Sequence, residues 1–179
     1  EFGPRALGSR SIIADPRKKN MQKLLNLKIK FRESFRPFAP SVLCEDAKKW
    51  FDLKVESPYM LIVANLKKKG KVVSNLEKTV SKIPAVTHVD YSARIQTVKN
   101  KKLKYYKLIR EFKRITGVPI LVNTSFNIRG EPIVCSPQDA INCFLGTELD
   151  LLVLENFIIY KKEQDKSLIH DYKNSYQLD

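Results

Sequence analysis

The sequence predicts an α/β or α+β fold, a sheet with helices on its faces. Three observations carry this: short apolar runs rich in β-branched residues, helical spacing with capping signals, and the mixing of the two without strict alternation. Residues 1–14 (EFGPRALGSRSIIA) hold two Gly, one Pro and two Arg before a short apolar run, and read as an inter-domain connector with a tight turn leading toward a strand. Asp15-Pro16 is a helix-start pattern, and Met21, Leu24, Leu25 and Lys28 follow at helical spacing, which predicts a helix over 16–28. Phe31 to Pro40 contains two Pro and cannot be a regular helix. Pro40 to Leu43 starts a strand, Glu45 to Phe51 forms a short helix, and Tyr59 to Leu66 is a buried strand.

Residues 67–82 are Lys-rich and weakly patterned, so a loop is expected. Ala85 to Val89 and Ala93 to Val98 read as strands around His88-Val89-Asp90-Tyr91. Leu103, Tyr106, Ile109, Phe112 and Ile115 mark one helix face that stops at Gly117. Val118 to Val122 is a strand running into the polar segment Asn123 to Asn127. Ser136-Pro137-Gln138-Asp139 caps a helix that ends at Gly146. Leu151 to Leu154 and Phe157 to Tyr160 form one bent strand or a hairpin, and the charged residues 163–179 are a frayed tail. One domain over 15–162 follows.

The chain has 179 residues, 43% hydrophobic and 29% charged, which excludes a disordered chain. No apolar run reaches ~18 residues, so no membrane span is expected. It starts at Glu1-Phe2 without a Met or an apolar leader, so it reads as a piece of something longer and not as a secreted precursor. Cys44, Cys135 and Cys143 are odd in number and scattered, which argues against a disulfide scaffold and for a cytoplasmic setting. With His88 and His170 they do not assemble a zinc pattern, and no metal site is expected. Lys and Arg number 33 against 19 Asp and Glu, a net charge of +14. Lys dominates the runs, a general surface bias; the fewer Arg, planar forks suited to phosphate and carboxylate, are the chemically informative cations.

Four constellations stand out. Gly3 to Ser11 places Arg5 and Arg10 around two glycines that allow close backbone approach. Lys30 to Ser41 sets Lys30, Arg32 and Arg36 among Phe31, Phe35 and Phe38, with Pro37 and Pro40 stiffening the loop, a pattern that suits a phosphate-rich small molecule. His88 and Asp90, two apart on an expected strand, share a face near Arg94. Asn123, Thr124, Ser125 and Asn127 offer hydroxyls and amides beyond a strand end. Ser125 lacks the nucleophile-elbow pattern and reads as a ligand for a substrate oxygen; Walker A and Gly-x-Gly-x-x-Gly motifs are absent.

Together, EFGPRALGSRSIIADPR, FRESFRPFAPSVL, IPAVTHVDYSARIQTV, TGVPILVNTSFNIRGEPIV and SPQDAINCFLGTELDLLVLENF resemble the C-terminal domain of the O-carbamoyltransferases that decorate nodulation factors and antibiotics, over about residues 1–160. The resemblance implies a YrdC-like twisted mixed sheet with flanking helices. It implies formation of carbamoyl-adenylate from ATP, carried with Mg²⁺, and carbamoyl phosphate. The carbamoyl group then passes to a hydroxyl on an N-terminal domain absent from this chain, where iron is also expected.

Carried over by motif, the adenylate-binding cations fall on Arg5, Lys30, Arg36 and Arg94, and the polar strand-end ligands on Asn123, Thr124, Ser125 and Asn127. Arg10, Arg32 and His88 fall in matching motifs with less defined roles, and no catalytic base is assigned. Tyr91 and Ser9 depart from the pattern, and residues 67–82 have no counterpart motif. The expectation is that these separated cations converge on one concave surface. The alternative is a basic RNA-binding module of the same fold, suggested by the charge; a docking platform for the absent domain is a third reading.

Overall fold

A computed structural model describes residues 6–67, 71–73, 79–168 and 172–176. The fold is mixed α/β. The chain divides into two compact units, residues 1–22 with 37–125, and residues 23–36 with 126–179.

The first unit is built on a five-stranded sheet. Its strands are β1 (Ser11–Ala14), β2 (Ala39–Leu43), β3 (Ile62–Asn65), β6 (Ser92–Val98) and β7 (Ile120–Ser125), in the order β1-β7-β2-β6-β3. Only β2 and β6 run parallel. Two further strands, β4 (Lys71–Val73) and β5 (Thr79–Ser81), pair with each other. Helices α2 (Cys44–Trp50) and α3 (Lys104–Thr116) belong to this unit, and Gly117 closes α3 at φ +75°. The amphipathic face of α3 buries Tyr106 and Ile109 against Leu43, Val98 and Leu121 from three adjacent strands. Each such side chain contributes about 1.5–3 kcal/mol on leaving water. Asp46, at the start of α2, accepts from Lys113 (2.5 Å) and Lys49 (3.2 Å), which locks α2 to α3.

The second unit holds the loop after α1 (Met21–Leu24), helix α4 (Pro137–Leu145) and the hairpin β8 (Leu151–Leu154) and β9 (Phe157–Tyr160). A capping box starts α4: Ser136 Oγ accepts from Asp139 N (3.2 Å), and the Asp139 carboxylate accepts from Ser136 N (2.9 Å). Among the described residues no helix is long and apolar enough to cross a membrane.

Several expectations need correction. Asp15 does not open a helix; its carboxylate accepts from Arg17 N and Nε, both at 2.9 Å. The expected helix over 16–28 is one α turn (α1) followed by a π-helical turn, Leu25–Ile29, because the buried Asn26 donates to Ser34 O (3.1 Å) and Arg36 O (2.9 Å) and the backbone widens to place it. Ser11–Ala14, read as connector, is the edge strand β1.

The strand expected over Tyr59–Leu66 starts only at Ile62, since Met60 turns the chain at φ +58°. As an edge strand it exposes Val63 and is not buried. Ala85–Val89 is not a strand. Pro84–Val86 is a 3₁₀ turn, tied by Thr87 Oγ1 donating to Ile83 O (2.8 Å). The expected loop 67–82 contains β4 and β5; Lys68 and Lys69 of its basic run lie outside the described residues. The segment after β9 is not wholly frayed, because Tyr172 is buried.

Candidate functional site

In the first unit, strand register collects several of the singled-out residues on one face of the sheet. Asn123 on β7 pairs with Ile13 of β1 and Ala39 of β2. The parallel register Ser41↔Gln96, continued by two residues, brings Ala39 opposite Arg94 of β6. Asn123, Ala39 and Arg94 therefore form one transverse row, and Asn123 and Arg94 stand two strands, roughly 10 Å, apart. Ser125, two residues beyond Asn123, shares this face and pairs with Ser11. The same face is apolar at the Leu43–Val98–Leu121 end, where α3 covers it. The polar end thus begins where the helix stops.

Asn123 is buried. Its Nδ2 donates to Ser41 Oγ (3.0 Å) and Gln96 Oε1 (2.8 Å), and Ser41 Oγ donates to the same Gln96 oxygen (2.5 Å). Gln96 Nε2 donates to Leu7 O (3.1 Å), which ties this buried cluster to the turn before Arg10. Gly8 in that turn sits at φ +102°, and a Cβ there would lie 2.4 Å from the Tyr105 ring. Glycine is therefore required on two counts, backbone angle and space. The Tyr105 phenol is buried, which holds it well above its ordinary range. Asn123, Thr124 and Ser125 belong to β7 and do not follow it, a correction of the expected strand end: pairing with β1 carries the ladder to Ser125. Thr124, Ser125, Arg94 and Arg10 are half-buried. Arg5 lies outside the described residues.

His88 and Asp90 do not share a strand face. Both lie in a turn closed on Ser92: His88 Nδ1 is 3.0 Å from Ser92 Oγ, and Asp90 accepts from Ser92 N (2.9 Å). The hydrogen bond from Ser92 holds the Asp90 carboxyl below its usual range. Among the described residues no three His, Cys, Asp or Glu side chains gather as a metal site.

In the second unit the cationic loop is built around Lys30. The π-helical turn closes with Lys30 N donating to Leu25 O (2.8 Å), five residues back. This turns the side chain inward, where Nζ donates to Asn127 Oδ1 (2.6 Å) and Asn127 O (2.8 Å). Lys30 is 3% exposed, and burial pushes its ammonium down to about 7. Arg32 Nε donates to Asn26 Oδ1 (2.7 Å), and Arg36 Nε pairs with Glu33 (2.8 Å). The structure therefore brings Lys30 to Asn127 in one unit and aligns Arg94 with Asn123 and Ser125 in the other.

Sequence reasoning passed over four polar residues that organise these groups: Asn26, Gln96, Glu131 and Tyr172. Glu131 O accepts from Asn127 Nδ2 (2.6 Å) and its Oε2 from Ile128 N (2.7 Å). The one local sign of this was Gly130, which takes φ +78° just before it.

The comparisons with known proteins agree with the motif pattern. The chain matches the family described as Carbamoyltransferase C-terminus over residues 1–161, and it belongs to that family. It is 52% identical, over 97% of its own length, to an uncharacterized protein of Synechocystis, of which it covers 31%. It is 48% identical to the nodulation protein NolNO of Sinorhizobium fredii and 47% identical to the nodulation protein NolO of Bradyrhizobium diazoefficiens, over 90% of this chain and 23% and 29% of theirs. The chain thus spans between about a quarter and a third of the length of these relatives.

Proposed function

We propose that this chain is the nucleotide-activating part of an ATP-dependent carbamoyltransferase, forming carbamoyl-adenylate from ATP and carbamoyl phosphate for transfer to a hydroxyl acceptor by the remainder of a longer protein. The observation that carries the reading is the family match, which spans Lys30, Arg36, Arg94 and the Asn123–Asn127 motif together. Water first displaces inorganic phosphate from carbamoyl phosphate to leave carbamate; a carbamate oxygen then bonds to the α-phosphorus of ATP while the bond to the diphosphate leaving group breaks. ATP and carbamoyl phosphate repel each other, and preplaced cations offset that repulsion and stabilise the charge that develops. Positioning and electrostatics suffice for this chemistry without a dedicated base.

In the first unit Arg94 supplies a planar donor for phosphate oxygens and Ser125 a hydroxyl on the same face of the sheet, while Thr124 offers its hydroxyl on the opposite face of β7. In the second unit Arg36 is the planar donor. Asn123 supports the end of β7 from within the Ser41–Gln96 cluster. Mg²⁺ enters on the nucleotide as part of the substrate. Three charge-assisted bonds at about 1.5–3 kcal/mol each give about 4.5–9 kcal/mol, the span from millimolar to micromolar affinity.

Calorimetry with ATP tests the reading. Arg36→Ala and Arg94→Ala are each expected to weaken binding by ~10-fold or more, the loss of one such bond. Diphosphate release is expected only when carbamoyl phosphate is present. If both variants bind ATP as the parent does, the site is wrong.

A further inference from the structure

We propose that the segment after the family's matched region is a latch: Tyr172, through the buried carboxylate of Glu131, positions the Lys30–Asn127 pair. Only the consequence for nucleotide rests on the function proposed above; the latch itself is argued from contacts within the second unit.

The contacts form a continuous chain. Tyr172 Oη donates to Glu131 Oε1 (2.6 Å), and Tyr176 Oη reaches the same oxygen at 3.3 Å. The other carboxylate oxygen accepts from Ile128 N (2.7 Å), and the Glu131 carbonyl accepts from Asn127 Nδ2 (2.6 Å). One carboxylate and one carbonyl thus fix the backbone after Asn127 and the rotation of its amide. With Nδ2 committed to Glu131, the Asn127 Oδ1 is turned toward Lys30 Nζ, which donates to it at 2.6 Å. Loss of the tyrosine hydroxyl would leave a buried carboxylate oxygen short of its strongest donor, and the cheapest response is for the loop to open to water.

Two further observations set Tyr172 apart from an incidental contact. The family match ends at residue 161, yet Tyr172 is buried and packs edge-on against Tyr176, ring centres 5.7 Å apart. Gly146, at the end of α4, has an ordinary φ of −82°, so its backbone alone does not demand glycine. A Cβ there would, however, lie 2.1 Å from Tyr172 Cβ. Position 146 is small because the tail crosses it.

The test uses the full chain with Tyr172→Phe, which keeps the ring and removes the hydroxyl, and Gly146→Ala, which displaces the ring from another position. Tyr176→Phe removes only the longer contact. Native-state acetylation by acetic anhydride, mapped by mass spectrometry, reads Lys30 directly, with the exposed Lys162 as internal standard. Lys30 labelling is expected to rise at least about five-fold in Tyr172→Phe and Gly146→Ala and less in Tyr176→Phe, with amide exchange at Ile128 faster and that at Val122 of β7 unchanged. If Lys30 and Ile128 stay as protected as in the parent while thermal stability falls, Tyr172 only fills space and the latch is refuted. ATP affinity is read on the same proteins and is expected to fall ~10-fold with the latch broken. Increased Lys30 labelling with no ATP binding by any chain, parent included, keeps the latch and removes the nucleotide function.

Discussion

Lys30 places an ammonium among oxygens of Asn127 with almost no contact to water, and the cost of that burial is readable in its protonation. Folding lowers its pKa from 10.5 to about 7, burial being the largest cause. Between those values the unfolded chain binds more protons than the folded one, so stability rises with pH across this window, and below about pH 7 the whole penalty is present. The slope is at most about 1.4 kcal/mol per pH unit. Urea unfolding at pH 7 and pH 9 is expected to show the midpoint rising more in the parent than in Lys30→Met; parallel profiles for the two would refute the buried ammonium. Asn123 makes a second residue-scale case. Its amide donates to both Ser41 and Gln96. Asn123→Ala leaves those partners short of a donor and is expected to cost about 2 kcal/mol, seen as a drop of ~4–8 °C in thermal midpoint. Both residues were legible as polar side chains in informative motifs. Their surroundings were not: Gln96 and Glu131 lie far from them in sequence, and only pairing and packing reveal the company they keep.

At the scale of elements, local chemistry was legible where it was self-contained. The middle of the α3 stripe, Tyr106 and Ile109, its glycine stop and the Ser136–Asp139 cap need no distant partner and appear where their spacing places them, whereas the ends of the stripe, Leu103 and Ile115, are exposed, Leu103 as the residue before the helix. The helix over 16–28 failed because Asn26, inside an apolar pattern, is claimed by carbonyls eight and ten residues away, and spacing does not report such a claim. The strand over Ala85–Val89 failed for the related reason that hydroxyl bonds from Ser81 and Thr87 hold a turn there. Two substitutions probe elements directly. Ser136→Ala removes the acceptor for Asp139 N and is expected to cost about 1 kcal/mol of stability in denaturant unfolding. Gly8→Ala and Gly117→Ala both strain a left-handed backbone, φ +102° and +75°, but only Gly8 also faces a ring, while Gly117 has open space. Gly8→Ala is therefore expected to cost about 1–3 kcal/mol more than Gly117→Ala, the penalty for overpacking. Equal losses would show that the Tyr105 contact does not constrain the turn.

For the molecule as a whole, the interleaving of two units was invisible in a linear reading, because residues 23–36 join 126–179 across about a hundred positions. Composition bounded the answer to a mixed fold but carried no information on which segments pair. The consequence is a gradient of local stability. In the first unit, β2, β6 and β7 are interior strands whose Val42, Ile95, Ile120 and Val122 are fully covered, so their amides open only with extensive unfolding. In the second unit, among the described residues, β8 and β9 pair only with each other. Register puts Leu151, Val153, Ile158 and Tyr160 on one face of that hairpin, and all four are exposed, against a buried Leu152 on the other. A two-stranded sheet covered on one side has little burial to oppose its opening. Native-state hydrogen exchange is expected to show the amides of β8 and β9 exchanging through local opening, with little dependence on denaturant, and those of β6 and β7 exchanging with the steep denaturant dependence of global unfolding. If hairpin amides were as protected as those of β7, the outward apolar face would have to be covered in solution, and the protection should then fall as the protein is diluted if a second copy is what covers it.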